Sequence, residues 1–147
     1  MDHWLHATGA TSPACDAVGM SAYTVLNLLE LDDSVSGRVP GVEGRFGRSK
    51  MDSRDLGVSH FHYGPGVRSK SAHTHTEQEE VYVVLEGAGR IRLDDEIVDI
   101  KPFDLVRVAP GVVRALEAGP DGLTYLAIGG PRPEEGDGKL VDSPWPE

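Results

Sequence analysis

The sequence contains two histidines separated by one residue, His73 and His75, and three glutamates follow at Glu77, Glu79 and Glu80. On a β-strand, residues i and i+2 point to the same face, so both imidazoles can face the interior of a barrel. Two imidazoles and one carboxylate are the ligand set of non-haem iron enzymes, and zinc, manganese or nickel also accept these donors. The spacing indicates a transition-metal site without selecting the metal. The alternative is that the HxH pair and the acidic run are simply solvent-exposed.

The segments around these histidines have the composition of short β-strands. Residues 80–87 are rich in valine, which favours a strand over a helix. Further strands are predicted at 56–63, 90–93, 96–100, 103–109, 112–116 and 122–129, with turn signals at Asp94-Asp95, Pro110-Gly111 and Gly119-Pro120. Short strands at spacings of roughly eight to twelve residues, with almost no helical periodicity, predict an all-β sandwich or barrel of antiparallel sheets.

The chain length of 147 residues fits a single domain. Residues 1–20 are polar and lack periodicity, which predicts a flexible N-terminal leader. Residues 21–131 form the predicted barrel domain, in which 22–31 has the composition of a strand or a short helical turn and 36–55 that of a loop. Residues 132–147 return to loop composition and form a predicted C-terminal tail, with Trp145 packed onto the barrel wall.

The chain carries 14 Lys and Arg against 24 Asp and Glu, a formal net charge of −10. Nucleic acids and anionic membranes require a basic surface, so neither is expected as a partner. Cys15 is the only cysteine, which excludes a disulfide framework and any CxxC site. No secretory signal or apolar run of about 20 residues is visible, so a soluble cytoplasmic protein is expected.

The histidine segment resembles the first motif of the cupin superfamily, G-x5-H-x-H-x3,4-E-x6-G. His73 and His75 fit the HxH pair, Glu80 follows after four residues, and Gly87 follows after six more. The departure is that six residues, and not five, separate Gly66 from His73.

Residues 103–114 resemble the second cupin motif, G-x5-P-x-G-x2-H-x3-N, in a degraded form. Phe103 stands at the first glycine, Ala109 at the proline and Arg114 at the histidine, while Gly111 fits. Together the two motifs extend the resemblance over residues 56–128.

The resemblance implies a small antiparallel β-barrel of the jelly-roll type, often a homodimer, with a divalent metal inside. Carried over by position, His73, His75 and Glu80 would be the metal ligands, and the metal would be Fe, Mn, Ni or Zn. The pocket would take a small, anionic organic molecule. Arg114 and Tyr82 are the candidate substrate-binding residues.

Arg114 replaces the family's fourth ligand, and a guanidinium cannot ligate a metal because it has no acceptor atom. Three arrangements remain open. Arg114 turns outward and leaves a three-ligand metal site; or it holds an anionic substrate group beside the metal; or it pairs with Glu80 and leaves a metal-free barrel. The substitution Arg114→His is expected to tighten metal binding by supplying the missing imidazole.

Dioxygenase-type chemistry is the activity expected of a metal held by two histidines and one carboxylate. A non-catalytic ligand-binding or sensing module is the first alternative. A metal-independent sugar epimerase or isomerase is the second, and it requires a dyad of a histidine and a carboxylate. His62 and Arg114 are the candidate catalytic residues, although surface or packing roles are the more common reading of such a histidine.

Overall fold

The computed structural model describes residues 22–142 and Trp145, so the predicted leader, 1–20, lies outside the described residues. One turn of 3₁₀ helix, Leu28–Glu30, precedes the strands. The strands are β1 (Val42–Phe46), β2 (Gly57–Tyr63), β3 (Ala72–His75), β4 (Glu80–Leu93), β5 (Glu96–Ile100), β6 (Leu105–Val108), β7 (Arg114–Gly129) and β8 (Gly138–Val141).

The strands pair antiparallel in one curled sheet, which confirms the predicted all-β, jelly-roll architecture. The long strand β7 is central, because it pairs with β2, β3 and β4. Apolar side chains on the inner faces of these strands form the main core, among them Tyr82, Val84, Ile91, Leu123 and Tyr125. The curl of the sheet brings one end of β3, β4 and β7 together, and the histidines lie at that end.

Strand β2 shows how alternation sorts side chains between the two faces of the sheet. Phe61 and Tyr63 point inward and pack against Tyr125, with ring centroids 5.2 and 5.9 Å apart respectively. Because successive residues alternate, His60 and His62 lie on the opposite face.

Two segments near the N-terminus differ from the sequence prediction. Residues 22–31 form no strand; they contain the 3₁₀ turn, whose first N–H groups are capped by the Asn27 side chain. Strand β1 lies within 36–55, which glycine content predicted to be a loop. Pairing with β2 and burial of Val42 in the core override the local composition there.

The β4–β7 pairing shifts register around Gly87, where φ is +71°. A Cβ atom at Gly87 would collide with the carbonyl oxygen of Gly122, so the close approach of the two strands requires glycine. Gly119-Pro120, predicted as a turn between two strands, instead lies inside this irregular part of β7. Strand β7 is therefore one continuous element.

The segment predicted as a loop-like tail, 132–147, contributes to the barrel. Its strand β8 pairs with β3 along the whole length of β3. Trp145 is buried against Ala72, and its indole N–H donates to the carbonyl of Ser69 at 3.1 Å. Among the residues that the structure describes, no helix has the length and apolarity needed to cross a membrane.

Candidate metal centre

Strands β3 and β4 bring the three predicted ligands together. His73 and His75 point to the same side of β3, with perpendicular rings whose centroids are 5.4 Å apart. Their Nε2 atoms lie 3.7 and 3.5 Å from Oε2 of Glu80, the first residue of β4. Ligand atoms of all three residues lie within 4.8 Å of one another. This set could hold a metal ion.

The other two glutamates of the acidic run do not join this cluster. Glu77 is exposed, and Glu79 pairs with Arg107 on the outside of the sheet. The turn after β3 therefore selects Glu80 alone, because it is the residue at which the chain re-enters the barrel.

Asp137 is a buried carboxylate at the site that sequence reasoning missed. Its Oδ1 accepts a hydrogen bond from Nδ1 of His75 at 2.8 Å. Its Oδ2 accepts the backbone N–H groups of Glu77 and Gln78 at 2.7 and 2.8 Å. Burial raises the pKa of Asp137, but these two N–H groups and His75 lower it by more than burial raises it, and the resulting pKa is about 2. Asp137 precedes β8, so only the pairing of β8 with β3 reveals its role.

The Asp137 hydrogen bond fixes the orientation and tautomer of His75. An ionised carboxylate only accepts, so the proton lies on Nδ1 and the lone pair of the neutral ring lies on Nε2. Nε2 then faces a second acceptor, Glu80 Oε2 at 3.5 Å. A metal ion held by both residues would be bound by Nε2 of His75 and Oε2 of Glu80.

Arg114, the first residue of β7, is fully buried and points at the same carboxylate. Its Nη2 donates to Glu80 Oε2 at 2.6 Å, and its Nη1 donates to the carbonyl of Val112 at 3.0 Å. Its Nε donates to the hydroxyl of Tyr82 at 3.3 Å. Arg114 thus adopts the third of the three predicted arrangements with respect to Glu80. Its side chain is not among the residues that line the cavity described below.

Glu80 is held ionised by its neighbours. Burial raises its pKa, but the nearby His73 ring, the hydrogen bonds from Arg114 and Tyr82 and the charge of Arg114 together lower it to about 2. The hydroxyl of Tyr82 donates to Glu80 Oε2 at 2.8 Å. Burial and the negative charge of Glu80 raise the pKa of Tyr82, so Tyr82 stays a neutral donor.

The donor set fits a divalent transition metal. Two imidazole nitrogens and one carboxylate oxygen are the donors that iron, manganese, nickel and zinc accept, and Asp137 supplies the outer carboxylate that usually orients a metal-bound histidine. Glu80 and Asp137 carry two negative charges against the single positive charge of Arg114. A bound cation would offset the remaining negative charge beside these ligands.

The ligand side chains open into a cavity of about 660 Å³. Tyr82 lines this cavity, as predicted for a substrate-binding residue. His62 does not; its Nδ1 is hydrogen-bonded to Thr124 at 2.9 Å on the outer face of β2. The structure therefore does not bring His62 to the site.

The profile of the cupin domain family matches residues 59–128, which contain both strands of the site. Comparison of the sequence with curated proteins gives no match. The match covers just under half of the chain, and together with the jelly-roll fold it supports the cupin superfamily.

Solved structures share the fold at low sequence identity. A cupin protein from Bacteroides fragilis is 22% identical, with a TM-score of 0.63 over 78% of this chain and 89% of that one. Oxalate decarboxylase from Bacillus subtilis is 19% identical, with a TM-score of 0.66 over 80% of this chain and 33% of that one. The Streptomyces nucleoside dehydratase Pac13 is 16% identical, with a TM-score of 0.66 over 81% and 91%. These likenesses establish the fold and leave the activity open.

Proposed function

We propose that this protein binds one divalent transition metal ion through His73, His75 and Glu80 and a small organic ligand in the adjoining cavity. The observation that carries the proposal is the His75–Asp137 hydrogen bond of 2.8 Å, which directs the free Nε2 at Glu80. A histidine oriented in this way is suited to bind a metal, because its Nδ1 is hydrogen-bonded to a carboxylate and its Nε2 is left with a free lone pair.

The reaction class that these three metal-binding residues support is oxidation of the bound organic molecule by dioxygen. A metal held by two imidazoles and one carboxylate supplies adjacent open positions for a substrate and dioxygen. The chain itself orients the ligand atoms through Asp137 and keeps Glu80 ionised through Arg114 and Tyr82.

The test is anaerobic reconstitution of tag-free protein with Fe(II), Mn(II), Ni(II) or Zn(II), followed by oxygen-uptake screening against small organic acids and phenols. We expect one equivalent of metal in the wild type and none in the double variant His73→Ala/His75→Ala. His60→Ala/His62→Ala is the matched control, because that pair has the same spacing on the outer face of β2 and should leave metal binding unchanged. Equal metal binding by the two double variants would refute the proposed site.

Metal-independent acid–base chemistry, such as that of a sugar epimerase or isomerase, is the second candidate. The buried His75–Asp137 pair favours it, since a histidine oriented by a carboxylate is a general base. The Arg114–Glu80 ion pair favours it as well, because it partly neutralises the site without a metal. Turnover that survives exhaustive chelation and is lost in Asp137→Asn would support this candidate. Ligand binding without turnover under either condition would identify a non-catalytic module.

The protein is further proposed to be a homodimer in the cytoplasm. Large apolar side chains exposed at and beside β6 support a self-association surface, with Phe103 84% and Leu105 69% exposed. Cys15, the only cysteine, leaves no disulfide to form within the chain. Sedimentation equilibrium tests the dimer: the wild type should have the mass of a dimer, and the double variant Phe103→Ser/Leu105→Ser should have the mass of a monomer.

A further inference from the structure

The cavity next to the metal centre is positively charged in a protein whose net charge is −10. Four basic side chains line it: Arg48, Lys70, Arg132 and Lys139. Among the residues that the structure describes, Glu80 is the only acidic residue in its lining, and Arg114 already neutralises that carboxylate. The lining of the cavity therefore carries an excess of positive charge, whereas the chain as a whole is negative.

In the part of the chain that the structure describes, none of these four basic residues forms an ion pair, although Asp55 lies close enough to Arg48 to raise its pKa. Seven of the ten arginines form ion pairs with Asp or Glu. Within residues 22–142, the three arginines outside such pairs are Arg38, Arg48 and Arg132, and two of these line the cavity. A chain with 24 acidic residues offers many partners, so cations without an ion pair gathered in one cavity favour a site that binds an anion.

Arg48 is held in place by backbone carbonyls instead of by a carboxylate. Its Nη2 donates to the carbonyls of Gly129 and Gly130 at 3.2 and 2.6 Å, and its Nη1 donates to the carbonyl of Arg54 at 3.2 Å. Burial lowers the pKa of Arg48, and the nearby positive charge of Arg132 lowers it further. Two guanidinium groups are thus close enough to repel each other, an arrangement that a bound oxyanion would stabilise.

One part of the cavity lining is apolar and aromatic. Val42, Phe61 and Tyr125 line its inner part, with the rings of Phe61 and Tyr125 stacked at 5.2 Å. An inorganic ion would leave this surface uncovered, whereas an organic molecule with one charged end would contact both parts.

We infer that the ligand is an organic anion whose carboxylate or phosphate group binds between Arg48 and Arg132, with its apolar body against Phe61 and Tyr125. This inference rests on the proposed ligand cavity and names the class of ligand. The anion-binding role is thereby assigned to Arg48 and Arg132, which line the cavity, and not to Arg114, which pairs with Glu80.

Isothermal titration calorimetry with three matched probes tests the inference: phenylacetate, phenyl phosphate and uncharged phenylacetamide. The titrations use tag-free, full-length protein, both metal-loaded and chelator-treated. We expect at least one anion to bind at least about tenfold more tightly than the amide, the effect of one charge-assisted hydrogen bond. The tighter of the two anions identifies the group as carboxylate or phosphate.

Arg132→Gln is the main variant, because Arg132 is exposed at the cavity and its loss leaves the core intact. It should weaken binding of the anion about tenfold and leave binding of the amide unchanged. Arg48→Gln should do the same if it folds. Arg38→Gln is the matched control, since Arg38 is equally exposed and unpaired but lies outside the cavity.

Three results would overturn the inference: no binding of either anion at millimolar concentration, equal affinity for anion and amide, or equal effects of Arg132→Gln and Arg38→Gln. Metal affinity, measured by Co(II) absorbance, should be the same in Arg132→Gln and wild type. Anion binding by a protein that takes up no metal would refute the proposed metal site and leave this inference standing.

Discussion

Replacing Arg114 by histidine perturbs the one residue at the site that departs from the cupin pattern. The Arg114 side chain is fully buried, and its Nη2 lies 2.6 Å from Glu80 Oε2. Removing one partner of a buried ion pair leaves the other charge uncompensated, at a cost of about 3–5 kcal/mol. In a domain of this size we expect the melting temperature of the metal-free variant to fall by roughly 10–20 °C.

The same substitution should strengthen metal binding. The guanidinium competes with a metal ion for Glu80 Oε2, and it repels the ion as well. A unit charge and a divalent ion about 5 Å apart repel by roughly 7 kcal/mol at an effective dielectric constant of about 20. Solvent in the cavity screens part of this repulsion, so we expect a net gain of about 3 kcal/mol, or a dissociation constant about 100-fold lower.

The assay is Co(II) titration followed by absorbance, together with thermal unfolding with and without metal. Added metal should raise the melting temperature of Arg114→His by more than that of the wild type. Arg107→His is the control, because Arg107 pairs with Glu79 on the outer surface and should change neither quantity appreciably. An unchanged dissociation constant in Arg114→His, despite a lower melting temperature, would refute the reasoning that this guanidinium restrains metal binding.

Three further predictions follow from individual contacts. Asp137→Asn should weaken Co(II) binding about 10–100-fold, because His75 loses its orienting carboxylate; equal affinity in the variant would remove Asp137 from the site. Phe103→Gly should be more stable than Phe103→Ala by about 0.5–1 kcal/mol in urea unfolding, because both variants lose the phenyl contacts but only glycine relieves the strain of a φ of +71°. The folded-state pKa of Glu80 is about 2, below its ordinary value of 4.5. Its stabilising contribution is therefore present above pH 4.5 and is lost as the pH falls towards 2, so acid unfolding of Glu80→Gln should lack that component of the pH dependence.

The sequence was sufficient to predict the barrel and the three converging ligands. Strand alternation places His73 and His75 on one face whatever the rest of the chain does, and the cupin spacing selects Glu80 from the three glutamates. The backbone at Phe103 agrees with the second cupin motif as well: Phe103 stands at the motif's first glycine, and its φ of +71° lies in the region that glycine favours.

Residues that reach the site through long-range pairing could not be predicted. Asp137 lies 62 positions from His75 and acts only because β8 pairs with β3. The loop-like composition of 132–147 gave no sign of this strand, whose side chains are largely exposed. The choice among the three arrangements of Arg114 likewise depended on three-dimensional contacts with Glu80 and Tyr82.

The face of the sheet on which His62 lies could not be predicted, for a different reason. Alternation establishes that His60 and His62 share a face, but only the packing of Phe61 and Tyr63 against Tyr125 shows which face is internal. The basic lining of the cavity was equally hidden, because Arg48 and Arg132 are far apart in the sequence and flanked by loop residues.

The metal content of tag-free protein, purified without chelator, tests the central claim most directly, and anomalous scattering from a crystal would locate the ion. We predict close to one equivalent of a transition metal, bound between the two β3 histidines and Glu80. Less than about a tenth of an equivalent, with no uptake on anaerobic reconstitution, would contradict the proposal of a metal-binding cupin.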